Sequence, residues 1–324
     1  MRPGPAPLAD AVTSTAGRRG AEGTPSGVPS PAPTGRHART RPRPGALRAA
    51  AGLAPFAVYL LIFLAAPTVI AVATGFTTAD GTPTMANITA LADPVIIATF
   101  TNSLWLSALT AVLGALIGAA VCLSLLALPE DGAVRRSVDA ASGVLAQFGG
   151  VMLAFAFIAT IGIQGLITVG LRDGFGIDIF ADGTWIYELP GLILPYLYFQ
   201  VPLMVITFMP ALGALRQTWV EAVLTLGGTT GVFWRRVALP VLAPSFLAST
   251  LLLFANAFSS YATAAALSSQ GSAIVPLQIR AALTSETVLG RENLAGALAL
   301  GMLAVMAVVM SLYALMQRRA SRWQ

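Results

Sequence analysis

Six long stretches of this chain carry no charged residue, and Gly-, Pro- or charge-bearing segments separate them. They are Ala51–Phe76, Thr99–Leu128, Ala141–Leu171, Leu189–Leu215, Val237–Leu267 and Asn293–Met316. About twenty helical residues, rising 1.5 Å each, cross a hydrocarbon core of roughly 30 Å, so each stretch is long enough to span a bilayer. Pro67, Pro195, Pro202, Pro210 and Pro244 fall inside these runs. Membrane helices tolerate such prolines where neighbours satisfy the freed carbonyls. The alternating segments of about ten residues that mark a transmembrane β-barrel are missing. The pattern predicts an all-α integral membrane protein with six transmembrane helices.

Composition agrees. Apolar residues make up 56% of the 324 and charged residues 10%, well below the roughly 25% charged of a soluble domain. All the basic residues are arginine, and their placement sets the topology. The N-terminal tail, Arg135 and Arg136, Arg216, Arg235 and Arg236, and Arg318, Arg319 and Arg322 fall on one side; only Arg172, Arg280 and Arg291 fall on the other. Sixteen against three places the richer side, with both termini, in the cytoplasm of a multi-pass protein of the cytoplasmic membrane. The net charge of +5 is then topology rather than a nucleic-acid footprint, and the basic tail faces anionic membrane lipids.

Residues 1–50 are Pro, Gly, Ala, Ser, Thr and Arg with almost no large apolar side chain. Such a segment cannot bury enough surface to fold and is expected to be a disordered cytoplasmic tail. A membrane domain follows over 51–316, then a basic tail over 317–324. The first apolar run lies about fifty residues in and is long, so a retained anchor is expected rather than a cleaved signal. Asn87-Ile88-Thr89 matches a glycosylation sequon on the outer side.

The spans exclude several chemistries. No Asp, Glu, Lys, Arg or His lies in any of them, which argues against a proton-coupled carrier. Cys122 is alone in an apolar run and His37 alone in the tail, so neither a metal site nor a catalytic constellation can be assembled, and no enzyme is expected. A phosphate-cradling loop of the G-x-x-x-x-G-K-[ST] form needs a lysine, and the chain has none. If ATP drives the protein, another polypeptide binds it. An ion-coupled secondary transporter or a channel remains the alternative.

The segment Arg216–Ser245, RQTWVEAVLTLGGTTGVFWRRVALPVLAPS, carries the most information. Arg235 and Arg236 hold it out of the bilayer centre. Trp219, Val220, Val223, Leu224 and Leu226 form an apolar stripe at helical spacing, which predicts a short helix with an exposed apolar face that asks for a protein partner. Gly227 can take a left-handed turn, Thr229 or Thr230 can cap a second short helix over Gly231 to Val237, and Pro240 suits the first turn of the next span.

This stretch resembles the loop of permeases of bacterial binding-protein-dependent ABC importers: E-A-A, three residues, Gly, nine residues, an aliphatic, one residue, Leu-Pro. Glu221, Ala222, Val223, Gly227, Val237, Leu239 and Pro240 hold those positions at every spacing. Val223 departs from the second alanine, adding bulk that would loosen docking of the helix. The resemblance runs from the first span to the sixth. It implies that the loop between spans four and five is a cytoplasmic coupling helix lodged in an ATPase subunit, and that closure of the ATPases rocks the permease between inward- and outward-open states. It further implies an external solute-binding protein and a second permease subunit, a related chain rather than an identical one.

Span five carries Asn256, Ser259, Ser260 and Thr263 at i, i+3, i+4 and i+7, one face of a continuous helix. Span four offers Tyr196, Gln200 and Thr207, and span three Thr160, Gln164 and Thr168. These uncharged stripes either line a path for a polar solute or hold helices together. The sequence from Phe254 to Ile279 looks like the branch of the family that includes polyamine, ferric-iron, thiamine and phosphonate permeases.

Overall fold

The computed structural model describes residues 44–78, 80–129, 132–268, 274–284 and 292–320. The chain divides into two units, residues 1–55 and 56–324. Of the first, residues 44–55 are described, and they are helical. Residues 1–43 of the tail predicted to be disordered, His37 among them, and residues 321–324 of the basic C-terminal tail lie outside the described residues, whereas residues 44–50 are helical and not disordered as expected.

The elements are α1 (Pro44–Leu60), a π-helical turn (Leu61–Ala65), α2 (Ala66–Thr74), α3 (Ala86–Thr89), α4 (Pro94–Leu126), α5 (Ala133–Leu145), α6 (Gly150–Ile161) and α7 (Leu166–Phe175). They continue with α8 (Ile193–Gly213), α9 (Gln217–Thr225), α10 (Thr230–Phe233), a second π-helical turn (Trp234–Ala238), α11 (Leu239–Phe258), α12 (Ala262–Leu267), α13 (Val275–Thr284) and α14 (Glu292–Ala320). Among the described residues, six helical segments are long and apolar enough to cross a membrane: Ala51–Thr74, Pro94–Leu126, Gly150–Phe175, Leu189–Gly213, Thr230–Phe258 and Asn293–Arg318. The protein is an all-α, multi-pass membrane protein with six spans, as the hydrophobic pattern predicts.

The packing follows from α4. Two rows of small residues run along one of its faces, Ser103, Ser107, Ala111, Ala115 and Ala119 in one, Thr110, Gly114, Gly118 and Cys122 in the other. Small residues four apart let helix backbones approach closely, and α4 packs against α8 and α11. Helix α11 in turn packs on α14, and α14 on α2 and α13. Two clusters fill the interior: Cys122, Leu125, Met204, Phe208 and Phe233 in one, and Leu106, Leu153, Tyr196, Phe199 and Leu267 in the other.

Two spans differ from expectation. Span three begins at Gly150, not Ala141, because residues 141–145 belong to α5, an amphipathic helix packed on α8. Gly150 sits at φ +72° between them, a left-handed conformation that breaks the helix and suits glycine. Span three then breaks again at Gly162–Gly165, where a side chain at Gly165 would collide with the Thr160 backbone. Span five ends at Phe258, and α12 starts after a break at Ser259 and Ser260. Its other end reaches back to Thr230, so the expected separate helix over Gly231–Val237 is instead continuous with the span through the π-helical turn. Freedom from charge reports how thick a layer a segment can cross, not that its helix is unbroken.

The polar links between helices mostly secure these breaks and ends. Tyr196 Oη donates to the Ser260 carbonyl at 2.9 Å, and the Gly150 N–H donates to Thr263 Oγ1 at 2.9 Å. The Val275 N–H donates to Ser103 Oγ at 2.8 Å, starting α13. Asn87 and Asn293 both donate to the Thr77 carbonyl, at 2.9 and 2.8 Å, beyond the end of α2. Asn87 of the sequon is thus partly buried and held within the fold.

Candidate functional site

Helix α9 and the turn after it form a compact hairpin. Leu226 closes α9, and Gly227 stands at φ +77°. The Gly227 N–H donates to the Leu224 carbonyl at 3.0 Å, and the Gly228 N–H to the Val223 carbonyl at 2.9 Å. That pair of bonds is the Schellman termination of a helix, whose left-handed position favours glycine. Open space surrounds Gly227, so only its backbone angle demands glycine. A side chain at Gly228 would come within 2.6 Å of Val223 Cγ1, so close approach demands glycine there. The sequence reading missed Gly228, although the Gly-Gly doublet was the available signal. Thr229 occupies the N-cap of α10 without the expected side-chain bond.

The apolar stripe of α9 divides. Trp219, Val220 and Val223 pack against the inner cluster with Val237 and Trp234, so they are not part of an exposed face. Glu221, Ala222, Leu224, Thr225 and Leu226 face outward, and Leu226 at the tip is 87% exposed. The extra bulk of Val223 therefore sits toward the bundle and against Gly228, not on the outer surface. Leu239 and Pro240 are both exposed, with Pro240 in the first turn of α11.

The polar residues of the spans do not gather on one face. The break after Phe258 interrupts the helical face expected for Asn256, Ser259, Ser260 and Thr263. Asn256 and Ser259 are exposed, and Ser259 Oγ donates to the Ala255 carbonyl at 3.0 Å. Thr263 is buried and engaged by Gly150. Gln200 is fully buried, its Nε2 donating to Thr110 Oγ1 at 2.8 Å while Oε1 has no partner. Gln164 is exposed in the break of span three. Thr160 and Thr207 donate to carbonyls of their own helices, and Thr168 is buried with its hydroxyl unpartnered. Among the described residues, no three His, Cys, Asp or Glu side chains come together as a metal site.

Set against known proteins, the chain matches no family model. It is 25% identical over 218 residues, 67% of its length and 71% of the other's, to the trehalose transport system permease protein SugB of Mycobacterium tuberculosis (strain CDC 1551 / Oshkosh). Its fold matches a bacterial ABC transporter involved in importing the acidic polysaccharide alginate, with a TM-score of 0.67 at 15% identity, covering 85% of this chain and 96% of that one. The alginate transporter in complex with its pentasaccharide-bound periplasmic protein matches with a TM-score of 0.64 at 16% identity, covering 84% and 94%. The MetNI methionine ABC transporter, inward-facing, gives 0.50 at 15% identity, covering 71% and 96%. These proteins are transporter components, and a permease of this kind is not itself an enzyme. The chain has the fold of an ABC-transporter permease, and its sequence is similar to that of a permease of the same kind.

Proposed function

We propose that this chain is the membrane permease subunit of an ATP-driven importer, moving a small polar solute by alternating access driven by separate ATPase subunits. The observation that carries the reading is the outward face of α9: Glu221, Ala222, Leu224, Thr225 and Leu226 stand clear of the bundle, above the turn at Gly227. An exposed acidic and apolar surface on a tightly terminated helix is built to dock in a protein groove. The arginine bias puts that loop, and both termini, on the cytoplasmic side, where ATP is available. An external binding protein and a second permease subunit complete the assembly, the second being a related chain. ATP is bound by the partner ATPase. The ion-coupled alternative draws no support from the similar proteins.

For the solute, the span-five sequence resembles the polyamine branch, whereas the sequence relative is by name a trehalose permease and the alginate transporter handles a saccharide. What these share is a polar solute. Asn256 and Ser259, exposed beside the break of span five, line the path in this reading, and Gln164 stands at the corresponding break of span three.

The test is docking. Thr225→Cys should cross-link to the ATPase that co-purifies with the chain. Glu221→Ala and Gly227→Pro should lose that ATPase at normal protein level, since proline holds φ near −65°. Gly227→Ala should be milder, at roughly 1–2 kcal/mol for the left-handed conformation. Full retention of the ATPase by both severe variants would remove the loop from the coupling role.

A further inference from the structure

A cleft of about 380 Å³ opens between α5 and α8, on a part of the surface that the coupling hairpin does not use. Arg135 and Asp139 of α5 line it, together with Ile206, Met209, Pro210 and Gly213 of α8. Its size falls within the roughly 300–1,000 Å³ of small-molecule sites. The α8 residues are spaced i, i+3, i+4 and i+7 and so form one face. They are apolar, and they run to the last residue of the span. Arg216 follows three residues later, and Arg135 and Arg136 lie on α5. The cleft therefore sits where the hydrocarbon layer meets the charged rim.

Its polar groups form a definite set. Pro210 lacks the N–H that would serve the carbonyl four residues earlier, and that residue is Ile206, in the same cleft. The Ile206 carbonyl is an acceptor left without its helical donor. Asp139 adds a carboxylate, exposed and acceptor-only when ionised. Arg135 adds a guanidinium with five N–H donors, enough to serve an anion alongside other partners. Two acceptors and one cation at the rim, over an apolar trough, complement a molecule with an ammonium, a phosphate and acyl chains.

We infer that this cleft binds a phospholipid with a primary ammonium headgroup, of the phosphatidylethanolamine type. The ammonium donates to the Ile206 carbonyl and to Asp139. The phosphate faces Arg135, and the first methylenes lie along Met209 and Ile206. A purely anionic headgroup brings no cation to the Asp139 carboxylate and adds a like charge beside it. A choline headgroup has the same charge but no N–H, so it leaves both acceptors unmet.

The experiment uses the full-length protein, purified with whatever subunits accompany it and exchanged into lipid-free detergent. Native mass spectrometry then follows retention of phosphatidylethanolamine, phosphatidylcholine and phosphatidylglycerol carrying identical acyl chains. The ethanolamine lipid should be retained about fivefold better than either other lipid, the discrimination expected of one or two hydrogen bonds. Pro210→Ala returns an N–H to the Ile206 carbonyl, and Asp139→Asn removes the charge; loss of the preference in either variant, with phosphatidylcholine binding unchanged, supports the site. Equal retention of the ethanolamine and choline lipids by the unaltered protein overturns it. So does a preference that survives in both variants. Displacement of the lipid by a water-soluble diamine at equal concentration also overturns it, because the cleft would then be taking an ammonium without its lipid.

Discussion

At Gly118 the closeness of α4 and α8 is set by a single missing atom. A Cβ there would lie 2.5 Å from Met204 Cβ and 2.9 Å from the Val201 carbonyl oxygen, neither of them the free end of a flexible side chain. Gly118→Ala should therefore force the helices apart and lower the melting temperature, an overpacking cost of about 1–3 kcal/mol. Gly143 of α5 has nothing within 4 Å of the same position. Gly143→Ala should leave stability unchanged or raise it, by up to about 1 kcal/mol of helix propensity. Equal melting temperatures for the two variants would mean that this contact does not limit α4–α8 packing. Residues of this kind divide in how far sequence reveals them. Gly227 stands out because a pattern of fixed spacing surrounds it and the left-handed turn has one common solution. Gly118 and Gly114 are two of many small residues in an apolar run, and only the partner helix shows which approach is close. Thr263 and Gln200 read as polar residues available to a solute, yet both are engaged inside the fold, Thr263 by the Gly150 N–H and Gln200 by the Thr110 hydroxyl, because a polar side chain in a membrane serves neighbouring protein groups as readily as it serves a cargo.

Among elements, the breaks matter more than the spans. The six apolar runs were legible because lipid imposes a length and excludes charge, and both are properties of a linear string. The breaks of spans three and five were not, because they lie inside charge-free sequence and are held by side chains remote in the chain. Tyr196 reaches the Ser260 carbonyl from 64 positions away, a pairing with no local trace. Tyr196→Phe keeps the ring in its buried site and removes only that donor. The variant should lose about 1 kcal/mol, and backbone amides around residues 259–263 should exchange faster while those in the middle of α11 do not. Unchanged exchange there would show that the break is held by packing alone. Asn256 lies just before the break and Ser259 within it, so a looser break should also alter access to them.

For the whole molecule, orientation and stoichiometry carry the functional reading, and a single chain presents both as arithmetic. The native thiol, Cys122, is fully buried, which leaves a quiet background for added cysteines. Leu226→Cys and Arg136→Cys should react with a membrane-impermeant maleimide only from the cytoplasmic side, and Asp182→Cys only from the other; the reverse pattern would invert the topology and detach α9 from any ATPase. Stoichiometry follows from the same helix. One chain offers one α9, and one α9 occupies one groove, whereas the importers this chain resembles close two ATPases around ATP. On the proposed function, a working complex therefore needs two permease chains. Span one fits such an assembly: in its most apolar stretch no residue is buried within this chain, so lipid or a neighbouring subunit must cover it. Native mass spectrometry of the ATPase-bound complex should find two permease chains of different mass, if the second is a related protein, or two copies of this one. A complex that couples ATP hydrolysis to uptake with a single permease chain would contradict the one-helix, one-groove reading.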